Sequence, residues 1–207
     1  MKSVALLSAR TSDAMPWLLD HAARSTCGGA TLRRVTVHIG VPDLAGRPPL
    51  YDAVLEVWRD ADDVNEEMID PLTGRFAVEQ YAAEELVAKP DILPPAVGMT
   101  PGIASLSFIR GKHVLSRAEL VRHWSEHASL ACDIHWGMTR YVQNRFAARD
   151  GMAAGWFGMA HLHFPDAATS RDGLFRTAED RALIAADVAE FVDDYATMLA
   201  VEHVIRG

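Results

Sequence analysis

Cysteine is scarce: Cys27 and Cys132 are the only two in 207 residues. That excludes the dense disulfide framework of small secreted domains, and two free thiols are expected. Long apolar runs are missing too. No stretch reaches the roughly 18 consecutive apolar residues of a membrane-spanning helix. The apolar run at residues 1–7 is too short for a signal peptide and has no small-residue cleavage pattern. A cytoplasmic protein with no membrane partner is expected. Basic residues are in deficit, with 20 Lys and Arg against 28 Asp and Glu and a net charge of −8. Binding phosphates needs the opposite balance, so nucleic acid is not an expected partner.

Several sequence motifs are also absent. There is no G-x-G-x-x-G, no P-loop, no G-x-S-x-G and no C-x-x-C. A nicotinamide or nucleotide has no visible home, and no cofactor is expected. Chemistry would then fall to side chains that move protons.

What is present fits a packed globule: 49% hydrophobic and 23% charged residues. Residues 2–10 read as a strand. Ser12-Asp13 offers an N-cap with Pro16 in the first turn, and Gly28-Gly29 closes the helix. Strands follow at 31–39 and 50–58, with helical patterns at 61–69 and 75–89 and a short strand near 96–99. A second round opens with a strand at 104–110. Ser116 and Glu119 form a capping box for a helix to about 132. Strands at 138–146 and 156–164, a helix at 179–196 and a strand at 199–206 complete it. The expected fold is α+β: two ferredoxin-like βαββαβ half-domains, residues 1–100 and 101–207, packed as an α+β barrel.

A shift of 106 residues (127 − 21) supports a duplication. It pairs His21 with His127, Arg34 with Arg140, Tyr51 with Phe157 and Trp58 with Phe164. It also pairs Arg75 with Arg181, and Ala83-Glu84 with Ala189-Glu190.

Both histidines fall on apolar helix faces, His21 with Trp17 and Leu18, and His127 with Leu120, Trp124 and Ala131. A histidine in a semi-apolar site can act as acid or base near neutrality. On the strand 50–58, Asp52, Val54, Glu56 and Trp58 share one face, while Tyr51, Ala53, Leu55 and Val57 suit a helix-covered face. Asp52 and Glu56 are therefore expected to point to a cavity or to solvent, with Asp52 orienting a histidine or taking a proton. The second half replaces them with Gly158 and Leu162 but carries His161 and His163 on one strand face. No further ligand completes a set around that H-x-H pair, so no metal is expected. Arg34 and Arg140 are candidate clamps for a substrate carboxylate. Tyr51, Glu56, Trp58, Trp124, Tyr141, His161 and His163 are candidate pocket residues around His21, His127 and Asp52.

Leu115-Ser-Arg-Ala-Glu-Leu-Val-Arg-His-Trp-Ser-Glu-His127-Ala-Ser-Leu130 and Met138-Thr-Arg-Tyr-Val-Gln-Asn144 resemble the EthD family of dimeric α+β barrel proteins. Pro49-Leu-Tyr-Asp52-Ala-Val-Leu-Glu56-Val-Trp58 resembles that family's strand as well. The resemblance implies a ferredoxin-like pair, a pocket between sheet and helices, and a homodimer. Relatives include polyketide cyclases, lactone isomerases, decarboxylases, small monooxygenases and haem-binding enzymes. With no cofactor motif, the expectation is a cofactor-independent lyase, of decarboxylase or cyclase type, acting on a small aromatic or lactone-like acid. The alternatives are a haem-binding barrel enzyme and a non-catalytic small-molecule-binding protein.

Overall fold

A computed structural model describes residues 2–25, 32–59, 70–91, 96–147 and 155–206. Cys27, the acidic stretch 60–63 and the expected helix at 61–69 lie outside the described residues.

The elements run β1 (Lys2–Ala9), α1 (Ala14–Ser25), β2 (Leu32–Val41), β3 (Ala53–Arg59), a 3-10 turn (Asp70–Gly74), β4 (Phe76–Lys89), β5 (Gly98–Met99), β6 (Ile103–Gly111), α2 (Arg117–Ile134), β7 (Arg140–Phe146), β8 (Gly158–Phe164), α3 (Ala167–Asp172), α4 (Ala178–Phe191) and β9 (Val192–Arg206). The class is α+β, as expected. None of the described helices is long and apolar enough to cross a membrane.

The chain divides into two compact units. Unit one holds residues 1–84, 93–101 and 198–207, and unit two holds 85–92 and 102–197.

Unit one is an antiparallel sheet in the order β4-β1-β3-β2-β9-β5. Period-2 alternation sorts its strands. Ala5, Leu7, Val35, Val37, Ala53, Leu55 and Val57 turn one way and pack with Ala14, Leu18 and Ala22 of α1. Leu72 and Phe76 complete that core.

The expected helix at 75–89 is instead strand β4. Its Ala, Glu, Gln and Leu content favours a helix in isolation. However, β1 lies between β3 and β4, and β4 supplies its second ladder, from Lys2 opposite Ala83 to Ala9 opposite Phe76. Unpaired backbone along β1 would cost more than the propensity gains, so tertiary pairing wins.

Unit two is ordered β4-β7-β8-β6-β9, with β8 antiparallel to both β6 and β7. Helix α2 starts at the capping box read from sequence: Ser116 N–H donates to Glu119 Oε2 at 2.7 Å, and Glu119 N–H to Ser116 Oγ at 3.3 Å. A second box, Thr177 with Asp180, starts α4. Helix α2 buries Leu120, Trp124, His127, Ala128, Ala131 and Ile134. Helix α4 buries only Ile184 and Phe191.

The 106-residue offset matches elements from α1 and α2 through β3 and β8. It fails beyond them. Ala83-Glu84 lie in strand β4, whereas Ala189-Glu190 lie in helix α4.

Candidate functional site

Unit two contains a cavity of about 610 Å³ between its sheet and its helices. The sheet side presents Ser105, Ser107, Tyr141, Ala160 and Leu162, and α4 presents Ile184, Ala185 and Val188. The inner face of α2 presents Trp124, His127, Ala131 and His135. These four are three or four residues apart, which aligns them along one stripe.

His127 is 8% exposed. Its Nδ1 lies 2.5 Å from Asp187 Oδ2 on α4. A carboxylate accepts, so Nδ1 carries the proton, and the neutral ring keeps an unprotonated Nε2. The ring also sits against Phe191, with centroids 5.7 Å apart. This combination of a tethered Nδ1 and a mostly apolar cavity is the usual arrangement of a general base.

His135 follows at the C-cap of α2 and is equally buried. Its Nδ1 donates to the Leu174 carbonyl at 2.7 Å. Burial pushes its pKa below the usual histidine range. No sequence motif marks His135. The α2 stripe continued one turn past Ala131 would have found it.

Tyr141 and Trp124 are buried at the cavity wall. Gln143 Nε2 donates to the Trp124 carbonyl at 2.6 Å and to the Tyr141 hydroxyl at 3.1 Å, pinning α2 to the sheet. Burial pushes the Tyr141 phenol up to about 12. Trp124 lies directly on Gly158, where a Cβ would come within 2.5 Å of its ring.

Other expected site residues are placed elsewhere. Arg140 is buried and already engaged, donating to Asp91 Oδ2 at 2.8 Å and meeting His161 Nε2 at 2.9 Å. His163 contacts Thr139 Oγ1 at 3.2 Å. None of these three lines the cavity.

In unit one, His21 is half-buried and stacked flat on Trp17, with centroids 4.5 Å apart. The Asp52 carboxylate accepts from Ala9 N–H at 2.7 Å, closing the end of the β1–β3 ladder. Tyr51 donates to Glu79 Oε1 at 3.3 Å. Arg34 and Lys2 lie over the Trp58 ring, at 4.7 and 4.0 Å. Glu56, 2% exposed, is held by Lys2 Nζ and His38 Nε2, each at 3.0 Å. His38 is fully buried, and no sequence motif marks it.

The model of the EthD domain matches residues 112–195. No curated protein matches by sequence. Solved structures resemble the whole chain. An "anthrone oxidase-like protein" superposes with a TM-score of 0.67 at 12% identity, covering 99% of this chain and 92% of its own. A protein named "putative monooxygenase" from Fusobacterium nucleatum subsp. nucleatum gives 0.60 at 8% identity, with the same coverage. Another of that name from Lactobacillus acidophilus gives 0.55 at 9%, covering 97% and 92%.

These likenesses establish the ferredoxin-like fold. They also overturn the expected cofactor-independent lyase, because these three matched structures carry oxidase-like and monooxygenase names. The acid–base groups are visible in a sequence, but the acceptor of the electron pair is not. Residues 112–195, the stretch that holds α2, α4 and His127, are thus similar to the EthD domain.

Proposed function

We propose that unit two is an oxidase or monooxygenase acting on an aromatic small molecule bound in the 610 Å³ cavity, with His127 as general base. The observation that carries this reading is the His127 ring, tethered at Nδ1 to Asp187 while the residue lines a mostly apolar cavity. The walls suit a flat apolar body: Trp124, Phe175, Leu162, Ile184 and Val188. His127 Nε2 takes a proton from a carbon or hydroxyl made acidic by the ring. The electron pair left behind passes to dioxygen. Where a methylene carbon becomes a carbonyl, one oxygen atom stays on carbon and the other leaves as water with both protons. The Asp187 carboxylate stabilises the imidazolium formed on proton transfer. The names of the structural neighbours support this direction of electron flow.

Anthrone is the probe. Oxygen uptake should match anthrone consumed, and His127→Gln should reduce the rate about 10²–10⁴-fold, as expected for loss of a general base. Full activity in that variant would remove His127 from the role.

A second reading is a haem-binding enzyme, also favoured by His127, because a carboxylate on Nδ1 is how a proximal ligand is oriented. Nε2 would hold the iron, and bound haem would supply oxygen activation. A Soret band on adding haem, lost in His127→Ala, would establish it.

A further inference from the structure

We propose that His135 is a second recognition point in this cavity, accepting a hydroxyl from the ligand at Nε2. The ligand is therefore an elongated planar aromatic with an oxygen function at the end remote from the reacting carbon. The proposal rests on the reading of the cavity as an aromatic-binding site.

Three observations converge. The first is spacing. His127 and His135 lie eight residues apart (135 − 127) on the same helix stripe, about 12 Å along the axis at about 1.5 Å per residue. Both line the one cavity. A ligand that reaches both is long, and between them the wall is apolar, with Ala131 on α2 and Ile184 and Val188 on α4.

The second is the state of the ring. Nδ1 donates to the Leu174 carbonyl, which cannot donate in return. The neutral ring that burial favours therefore has Nε2 as a bare acceptor. Among the described residues, no other group hydrogen-bonds this ring. An acceptor pairs with a hydroxyl and leaves a carbonyl or ether oxygen unpaired. The position thus discriminates a phenol from its methyl ether.

The third is the surroundings. Phe175 meets His135 edge-on, with centroids 5.4 Å apart. The Arg181 guanidinium lies 4.9 Å from the Phe175 ring, and both residues line the cavity. A ring entering here meets an aromatic edge and a cation, a setting that favours an electron-rich phenol.

The test is equilibrium binding of three probes to the full chain: anthrone, 2-hydroxyanthrone and 2-methoxyanthrone. Wild type should bind the hydroxyl compound about tenfold more tightly than the other two, the value of one buried hydrogen bond. His135→Asn keeps a side-chain N–H for the Leu174 carbonyl but has nothing at the Nε2 position, and should bind all three alike. His135→Gln places a carbonyl near the Nε2 position and should restore part of the preference. Equal binding of the three by wild type, or a preference that survives in His135→Asn, would overturn the proposal. So would failure of wild type to bind any of them. Binding is read without turnover, so a protein that prefers the phenol but consumes no oxygen would refute the oxidase reading and leave this one standing.

Discussion

His127 Nδ1 and Asp187 Oδ2, 60 residues apart in sequence, meet at 2.5 Å across the gap between α2 and α4. The histidine belongs to one helix and the carboxylate that holds its ring to the other. A pair assembled from two helices depends on both staying in place.

Removing the orienting carboxylate should therefore reduce turnover while leaving the fold intact. Asp187 is about a third exposed, so Asp187→Asn leaves no buried charge behind. Loss of an outer partner of this kind costs about 10–100-fold in activity. The measurement is oxygen uptake with anthrone, with circular dichroism as the folding control. An unchanged rate would mean that Asp187 does not orient the base.

Gly158 should not tolerate a side chain. A Cβ there would lie 2.5 Å from both the Trp124 ring and the Asn144 carbonyl. Gly158→Ala should cost about 1–3 kcal/mol through overpacking, seen as a lower melting temperature. It should also weaken anthrone binding, because Trp124, which lines the cavity, must shift.

The Lys2–Glu56 pair should be intolerant of one-sided change. Both side chains are almost fully buried. Lys2→Met leaves a buried carboxylate facing one less cation and should cost about 3–5 kcal/mol in urea unfolding. Lys2→Met combined with Glu56→Leu should cost less than the sum of the single changes, since the stranded charge is gone.

Tyr141 should report its burial at high pH. Its phenol is pushed up to about 12 from 10, so the folded state holds that proton more tightly than the unfolded chain. The resulting stability is full below pH 10 and is lost as pH rises from 10 towards 12. In an ultraviolet titration of the folded protein, the Tyr141 phenol should ionise about two units late. Loss of the late phase should follow Tyr141→Phe, and a late phase that survives in that variant would contradict the assignment.

Much of the architecture was legible because it is written in short-range signals. The capping box at Ser116 and Glu119 located α2 to within two residues, and the alternation through Ala53, Leu55 and Val57 gave the helix-covered face of β3. Strand β4 was not legible. Its ladder with β1 joins residues 67 to 81 positions apart, and its composition argues for a helix.

The candidate site divides the same way. His127, Trp124 and Tyr141 followed from helix and strand period. Asp187 did not, because the helix period says nothing about which α4 residue faces α2. Asp52 looked catalytic on its strand face, yet its carboxylate closes a backbone gap at Ala9. A carboxylate next to a strand end has that local use available, and only the three-dimensional register reveals it.

The placement of Trp124 has an optical consequence. Its indole is almost wholly sheltered from water and forms part of the cavity wall. It should emit at short wavelength, and a flat ligand settling against it should quench that emission. The protein thus carries its own reporter of occupancy, usable with ligands that it never transforms.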